Sequence, residues 1–572
     1  MRNRFVIRLK NNMTEWVQKR DYLSLFCVLM VLSLSISFAI DLICGGKIFS
    51  NWITPVRTNV TMDFYNSIRV LGAKDRNPYT NYATSYPPLA LIFYYVMGMF
   101  LPTDLQTDLE KMPGTSLSAM LYLISLLVLS VLQFEIVSMQ KTGAKNVQRV
   151  FGVLSLFTVG MIWNYERGNI IVISLILTMF FMFYWESENK VVSELAMISL
   201  ALAAGLKIYP AVFGLLVLHK REYKKVCRLV IYGILAIIVP FFAFEGITAI
   251  PIFFKALAGI SNRGSVVDML GGISLSGIVK TLLIWGGWDC TYLPSAVQKI
   301  AYIVLILVCI LIHYYRQEWK RVTALTLMML IVPGLSLEYV LMFMIIPLVF
   351  FLKEKNHAKL DVIYFISMCL LCIPLPLFNM TSIREMLPIN RREFSVSQLI
   401  WQMALLFLLI LLLAEGVVRL VEEVRKSKRV SAFVSLMLCM VLFVSSAFVI
   451  EKAVSQTIKE KNDIGQSAIA TYTEWNVDAN EIVFVAGNPA RIYDVKEKNG
   501  MPVLEQQELY QNIEQIQEKY AEDRVDIIIS RKTLDGLRDE LCTSVKNDLK
   551  SNYRCVRKNN DWYCYQLREE RS

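Results

Sequence analysis

Residues Leu23 to Ile43 read LSLFCVLMVLSLSISFAIDLI, an unbroken apolar run with a single charge at Asp41. An α-helix needs about 20 apolar residues to cross a hydrocarbon core, so this run is long enough to span a membrane. Two basic clusters precede it, Arg2/Arg4/Arg8/Lys10 and Lys19/Arg20. It ends in Cys44-Gly45-Gly46 without a small-x-small cleavage pattern, so the expectation is an uncleaved first helix with a cytoplasmic N-terminus. Similar runs recur at Ser116 to Leu132 and Leu399 to Leu413. The whole chain of 572 residues follows suit: 55% of it is hydrophobic, only 19% is charged, and the mean hydropathy is +0.46. That composition places it with polytopic α-helical membrane proteins.

The net charge of +11 is not gathered on one face, as a nucleic-acid binder requires. It sits in short clusters between apolar runs: Lys141/Lys145/Arg149, Lys220/Arg221/Lys224/Lys225, Arg316/Lys320/Arg321, Lys353/Lys355/Lys359 and Arg425/Lys426/Lys428/Arg429. Read by the positive-inside rule, all five are cytoplasmic. Joining them takes roughly thirteen passages, several of them short. Three segments are left outside: residues 44–115, about Phe244 to Gln298, and everything after a last helix ending near Ile450. Tyr86 to Leu101 breaks this count if it spans, so it is expected to be an amphiphilic or re-entrant helix. The eleven cysteines show no metal spacing, and Cys369-x-x-Cys372 lies inside an apolar run. The three histidines, His219, His313 and His357, all lie beside the basic clusters. A histidine metal site or a Ser-His-Asp triad has little to draw on.

These features divide the chain into residues 1–450, a multi-helix membrane domain with a large first outer loop at 44–115, and residues 451–572, a small soluble α/β domain outside the membrane. In the latter, Glu481 to Ala486 and Val525 to Ile529 read as strands. Glu505 to Tyr520 and Leu534 to Leu549 read as helices. Tyr553 to Leu567 reads as a hairpin about Asn559-Asn560, since asparagine tolerates the positive φ of a two-residue turn. That turn pairs Lys558 with Asp561, Arg557 with Trp562, Val556 with Tyr563 and Cys555 with Cys564. The last pair is then close enough for a disulfide, or for facing thiols.

Four junctions carry candidate chemistry. The first outer segment contains Thr61-Met62-Asp63-Phe64, Asn77-Pro78-Tyr79 and Tyr86-Pro87-Pro88-Leu89. Asp63 opens a short helix and has two readings: a carboxylate stabilising the helix N-terminus, or a general base at the membrane surface. Asn164-Tyr165-Glu166-Arg167-Gly168-Asn169 separates two apolar runs. Charges at membrane depth are costly unless paired or functional; Glu166 and Arg167 could bridge each other, or Arg167 could take a phosphate. Gly205-Leu206-Lys207-Ile208-Tyr209-Pro210 puts a lysine in mid-run, where Pro210 can break the helix and Lys207 can meet an anion. Pro333-Gly334-Leu335-Ser336-Leu337-Glu338-Tyr339 puts an acid between two short apolar runs. Arg263, in the second outer segment, is a further candidate beside its simpler reading as a solvated surface charge.

The order Asp-Phe, Asn-Pro-Tyr…Tyr-Pro-Pro-Leu, Glu-Arg-Gly-Asn and Lys-Ile-Tyr-Pro resembles that of the family 87 glycosyltransferases, polyprenyl-phosphomannose-dependent membrane enzymes of the GT-C superfamily. The resemblance runs from Asp63 to Pro210, and more loosely over Pro333 to Pro347. It implies that Asp63 is the catalytic base and that Arg167 and Lys207 lie near the donor phosphate, with Tyr86, Glu166, Asn169, Tyr209, Arg263 and Glu338 as substrate-site candidates. Asn169 stands where many members have glutamine, and the late outer-loop histidine of some relatives is missing.

The implied reaction moves a sugar, mannose first, from a polyprenyl-phosphate lipid to a hydroxyl of a glycan or glycolipid on the outer face, with inversion. It needs no nucleotide, metal or other cofactor. The partners are the carrier lipid, the acceptor and the membrane, and the expected location is the cell membrane. A transporter or flippase of lipid-linked saccharides is the rival, but it predicts two similar halves and no internal repeat is visible. A membrane sensor is a third class; the cations at its membrane junctions would then lack a purpose.

Overall fold

The computed structural model describes residues 21–43, 45, 61–72, 77–82, 84–102, 104–106, 111–112, 115–262, 272–285, 293–375, 396–427, 430–475, 482–486, 491–498, 501–509, 526–531, 534 and 553–567. It divides into two compact units, residues 1–261, 304–378 and 396–440 in one and residues 262–303, 379–395 and 441–572 in the other.

Among the described residues five helices are long and apolar enough to cross a membrane: Tyr22–Ile43, Ser116–Ser138, Tyr223–Ala243, Val396–Lys426 and Val430–Trp475. A sixth is made of two pieces, Lys145–Phe157 and Val159–Arg167, bent by 44°. The bend falls at Thr158, whose backbone is extended (φ −63°, ψ 153°) and interrupts the hydrogen-bond ladder. The remaining apolar helices, such as Ile171–Tyr184 and Asp361–Cys372, are too short to span unaided. The roughly thirteen passages expected include short ones, and among the described residues further apolar helices of 10–17 residues accompany these six. Ser116–Ser138 turns Leu123, Ile124, Leu127 and Val131 outward, each more than half exposed, as a lipid-facing helix does.

Within 44–115 the described residues are mainly helical. Met62–Gly72 and Pro88–Gly98 bury Phe64, Ile68, Leu91 and Tyr94 in an aromatic core with Tyr79, Phe241 and Phe253. Pro88–Gly98 has only eleven residues, in keeping with a segment that does not span.

In the other unit a six-stranded mixed sheet follows the last helix. Its strands are β1 Ile482–Ala486, β2 Arg491–Lys498, β3 Met501–Leu509, β4 Asp526–Ser530, β5 Tyr553–Lys558 and β6 Trp562–Leu567, in the order β3-β2-β1-β4-β6-β5. Only β1 and β4 run parallel. Phe484, Ile528 and Trp562 form its core with Ala468 and Trp475 of the long helix, and burial of each large side chain contributes about 1.5–3 kcal/mol. The Trp562 indole N–H donates to Ser467 Oγ at 2.8 Å.

Several expectations change here. The last helix does not end near Ile450 but runs on to Trp475, since its polar stretch keeps helix-forming residues and docks on the sheet. Glu505 to Leu509 belongs to β3, not to a helix, because pairing with β2 overrides its helix-favouring Glu and Gln. Residues 510–525 and most of Leu534 to Leu549 lie outside the described residues, as does Arg263. The hairpin forms, but its register differs. Asn559 Oδ1 accepts from the Asp561 and Trp562 N–H groups, and the Asn559 N–H donates to Trp562 O. This widens the turn, and a bulge at Val556 shifts the ladder. Cys555 therefore stands opposite Tyr565 and Cys564 opposite Arg557, and no disulfide joins them.

Candidate active site

Four separate stretches converge in the first unit. Thr61 carries an unusual φ of +56°, a conformation strained for a β-branched residue. Its N–H donates to Glu166 O at 2.6 Å, and this bond ties the start of Met62–Gly72 to the end of Val159–Arg167. Gly168 makes the approach possible. It ends that helix in the left-handed region (φ +66°), and a Cβ there would come within 3.0 Å of Phe64 Cβ and 3.4 Å of Thr61 Cα. A second glycine, Gly160, lets the same helix touch the turn Glu338–Met344, since a Cβ there would collide with the Met342 backbone N.

Asp63 lies in the first turn of its helix, facing the 164–169 junction. Its Oδ1 pairs with Arg167 Nη2 at 2.9 Å and its Oδ2 accepts from Asn169 Nδ2 at 2.7 Å. Both side chains of the ion pair keep modest access to solvent, 16% for Asp63 and 15% for Arg167. Asn169 Nδ2 also donates to the Tyr86 hydroxyl oxygen at 2.9 Å. Lys207 Nζ sits 4.0 Å from the centroid of the Tyr86 ring and within electrostatic reach of Asp63. The lysine reaches this point because its helix, Lys190–Leu206, stops there: Lys207 is extended (φ −149°, ψ 122°), and Pro210 has no N–H to continue the ladder. Among the described residues no carboxylate forms an ion pair with Lys207.

Burial lifts the Tyr86 phenol well above its ordinary value, and the Asp63 charge lifts it further, so this hydroxyl stays protonated. The neighbouring Tyr339 acts electrostatically on both Tyr86 and Arg167. Two buried donors one helical turn apart, Trp163 Nε1–H and Arg167 Nε–H, meet no acceptor among the described residues.

Asp63, Arg167, Asn169, Tyr86 and Lys207 thus form one cluster. Glu166 is buried beside it and joins through its backbone carbonyl. Tyr209 is half-buried two residues beyond Lys207. Glu338 is buried, with Oε1 accepting from Gln398 Nε2 at 2.6 Å. Three contributors were not anticipated. Tyr94 accepts the Ile170 N–H at 3.0 Å and Tyr122 donates to Tyr165 O at 2.5 Å, both bracing the 164–169 junction. Gln398 holds Glu338. The two tyrosines look like core aromatics, and nothing around Gln398 marks it in the sequence.

The arrangement offers a carboxylate with both oxygens oriented, two cations and a protonated hydroxyl at one place. Residues 84–337 match the family model described as Glycosyltransferase family 87. The match takes in Tyr86, Glu166, Arg167, Asn169, Lys207, Tyr209 and Arg263 and stops just before Glu338; Asp63 precedes it. No curated protein and no solved structure matches the chain.

Proposed function

Because residues 84–337 match the model of glycosyltransferase family 87, we propose that this chain is a membrane glycosyltransferase that takes its sugar from a polyprenyl-phosphate carrier and passes it, with inversion, to a hydroxyl acceptor on the outer face. The convergence of Asp63, Arg167 and Lys207 from three distant segments is the observation that supports this reading.

Asp63 is the base. Arg167 and Asn169 each occupy one lone-pair position on a carboxylate that offers about four, so room remains to accept a proton from an acceptor hydroxyl. The acceptor oxygen attacks the anomeric carbon from the face opposite the phosphate. The carbon–phosphate-oxygen bond breaks, its electron pair leaves with the carrier phosphate, and the hydroxyl proton passes to Asp63. Lys207 and the unspent N–H groups of Arg167 receive the phosphate charge, the electrostatic contribution that commonly dominates such transfers. Mannose is the first sugar to test, and no cofactor beyond the lipid donor is invoked. The reading puts the N-terminus in the cytoplasm and the C-terminal domain outside, in the cell membrane.

The test offers purified protein radiolabelled mannose on polyprenyl phosphate or on a nucleotide, with a glycan acceptor mixture. Label should move from the lipid donor alone. Transfer from the nucleotide sugar at equal or higher rate would overturn the donor assignment.

A further inference from the structure

The Asn169 carboxamide has no spare hydrogen. Its Oδ1 accepts the Ile171 N–H at 3.0 Å, which fixes which end of the amide is nitrogen. Nδ2 then gives one hydrogen to Asp63 Oδ2 and the other to the Tyr86 oxygen. Tyr86 is the acceptor in that bond, so its own O–H is directed elsewhere, and among the described residues it meets no acceptor. Lys207 lies over the face of the same ring. Among the described residues, then, a protonated hydroxyl without an acceptor and an ammonium without a carboxylate partner meet at one side chain.

We propose that the Tyr86 hydroxyl is a substrate-binding donor, directed with Lys207 at an anionic oxygen of the carrier phosphate, and that Asn169 is a positioning residue tying this donor to the base. The inference rests on the polyprenyl-phosphate reading above. It adds a consequence: because one amide holds Asp63 and Tyr86 together, the base and the phosphate side of the site keep a fixed separation. Tyr86 binds the donor in ground and transition states. Asn169 touches no reacting atom and acts through its two neighbours.

The experiment measures binding of polyprenyl phosphate, with uncharged polyprenol as control, to detergent-purified full-length protein, alongside kcat and KM. Tyr86→Phe keeps the ring and the Lys207 contact and loses only the hydroxyl. It should bind polyprenyl phosphate about 10- to 100-fold more weakly, the range for a lost hydrogen bond to a charged group. Its polyprenol binding should match wild type. Asn169→Leu should weaken donor binding and lower kcat together, and Asn169→Gln, which retains an amide, should recover much of both. Tyr86→Phe with wild-type affinity and rate overturns the proposal. If Tyr86→Phe does not fold, Asn169→Leu and Asn169→Gln decide it, and equal behaviour of the two overturns the positioning role. Failure of the underlying reading looks different: wild-type protein itself would not distinguish polyprenyl phosphate from polyprenol.

Discussion

Among the described residues two clusters of partly or fully buried charge, around Lys320 and around Asp63, are finished differently. Around Lys320, Asp361 lies at 3.1 Å and both oxygens of Glu415 at 2.9 Å. Tyr364 donates to Glu415 at 3.0 Å, while Gln317 and the Ala358 N–H donate to Asp361. The rings of Trp319 and Tyr364 flank the ammonium. Every formal charge at its centre has a direct partner. Around Asp63 the carboxylate is held by Arg167 and Asn169, but Lys207 rests on a ring and pairs with no carboxylate among the described residues. Buried ion pairs carry a desolvation cost, so a cluster that completes its pairing suits a structural role. One that leaves an ammonium without a carboxylate partner beside a solvent-accessible carboxylate suits a ligand.

Substitutions should separate the two. The largest effect on stability is expected at Lys320. Its side chain is 5% exposed and Asp361 is wholly buried, so Lys320→Ala strands a buried charge and should cost about 3–5 kcal/mol, read by thermal unfolding in detergent. Lys207→Met should leave unfolding nearly unchanged and weaken polyprenyl-phosphate binding about 10- to 100-fold. Equal stability losses at both lysines would erase the distinction. Gly168→Ala comes next: a left-handed φ and a Cβ 3.0 Å from Phe64 should cost about 1–3 kcal/mol and reduce turnover by moving Asp63 away from Asn169.

The smallest effect concerns pH. His219 and His313 share a contact at 2.9 Å between their Nδ1 atoms. Burial, together with Arg321, His313, Lys220 and Arg221, lowers His219 to about 4, and burial with Arg321 and Arg221 lowers His313 as well. The folded state then resists protons that the unfolded state accepts below about 6.5. Stability is present above that pH and declines as pH falls from 6.5 toward 4. Unfolding temperatures at pH 7 and 5 should therefore differ more for wild type than for His219→Gln, and identical differences would contradict the role of the pair.

Much of the site was legible because charge in an apolar context is conspicuous. Asp63, Arg167 and Lys207 each interrupt or border a hydrophobic run, and Pro210 explains why Lys207 ends its helix. What pairs with what was not legible. Arg167 was expected to meet a phosphate or to bridge Glu166, yet it grips Asp63, a contact set by Gly168 and the strained Thr61 rather than by any local pattern. Tyr94 and Tyr122 brace the junction through single hydroxyls that apolar periodicity does not register. In the C-terminal sheet β1 and β4 were visible as β-branched runs and β5–β6 as a hairpin, whereas β2 and β3, rich in charged and amide residues, were not. The hairpin register depended on one asparagine side chain closing a wider turn.

The most direct test of the central assignment is Asp63→Asn, assayed for sugar transfer and for polyprenyl-phosphate binding in the same preparation. The amide keeps the size of the side chain and cannot take the proton. Transfer should fall about 10²–10⁴-fold while carrier binding stays close to wild type. A variant that transfers sugar at the wild-type rate would remove Asp63 as the base and leave its pairing with Arg167 as structure alone.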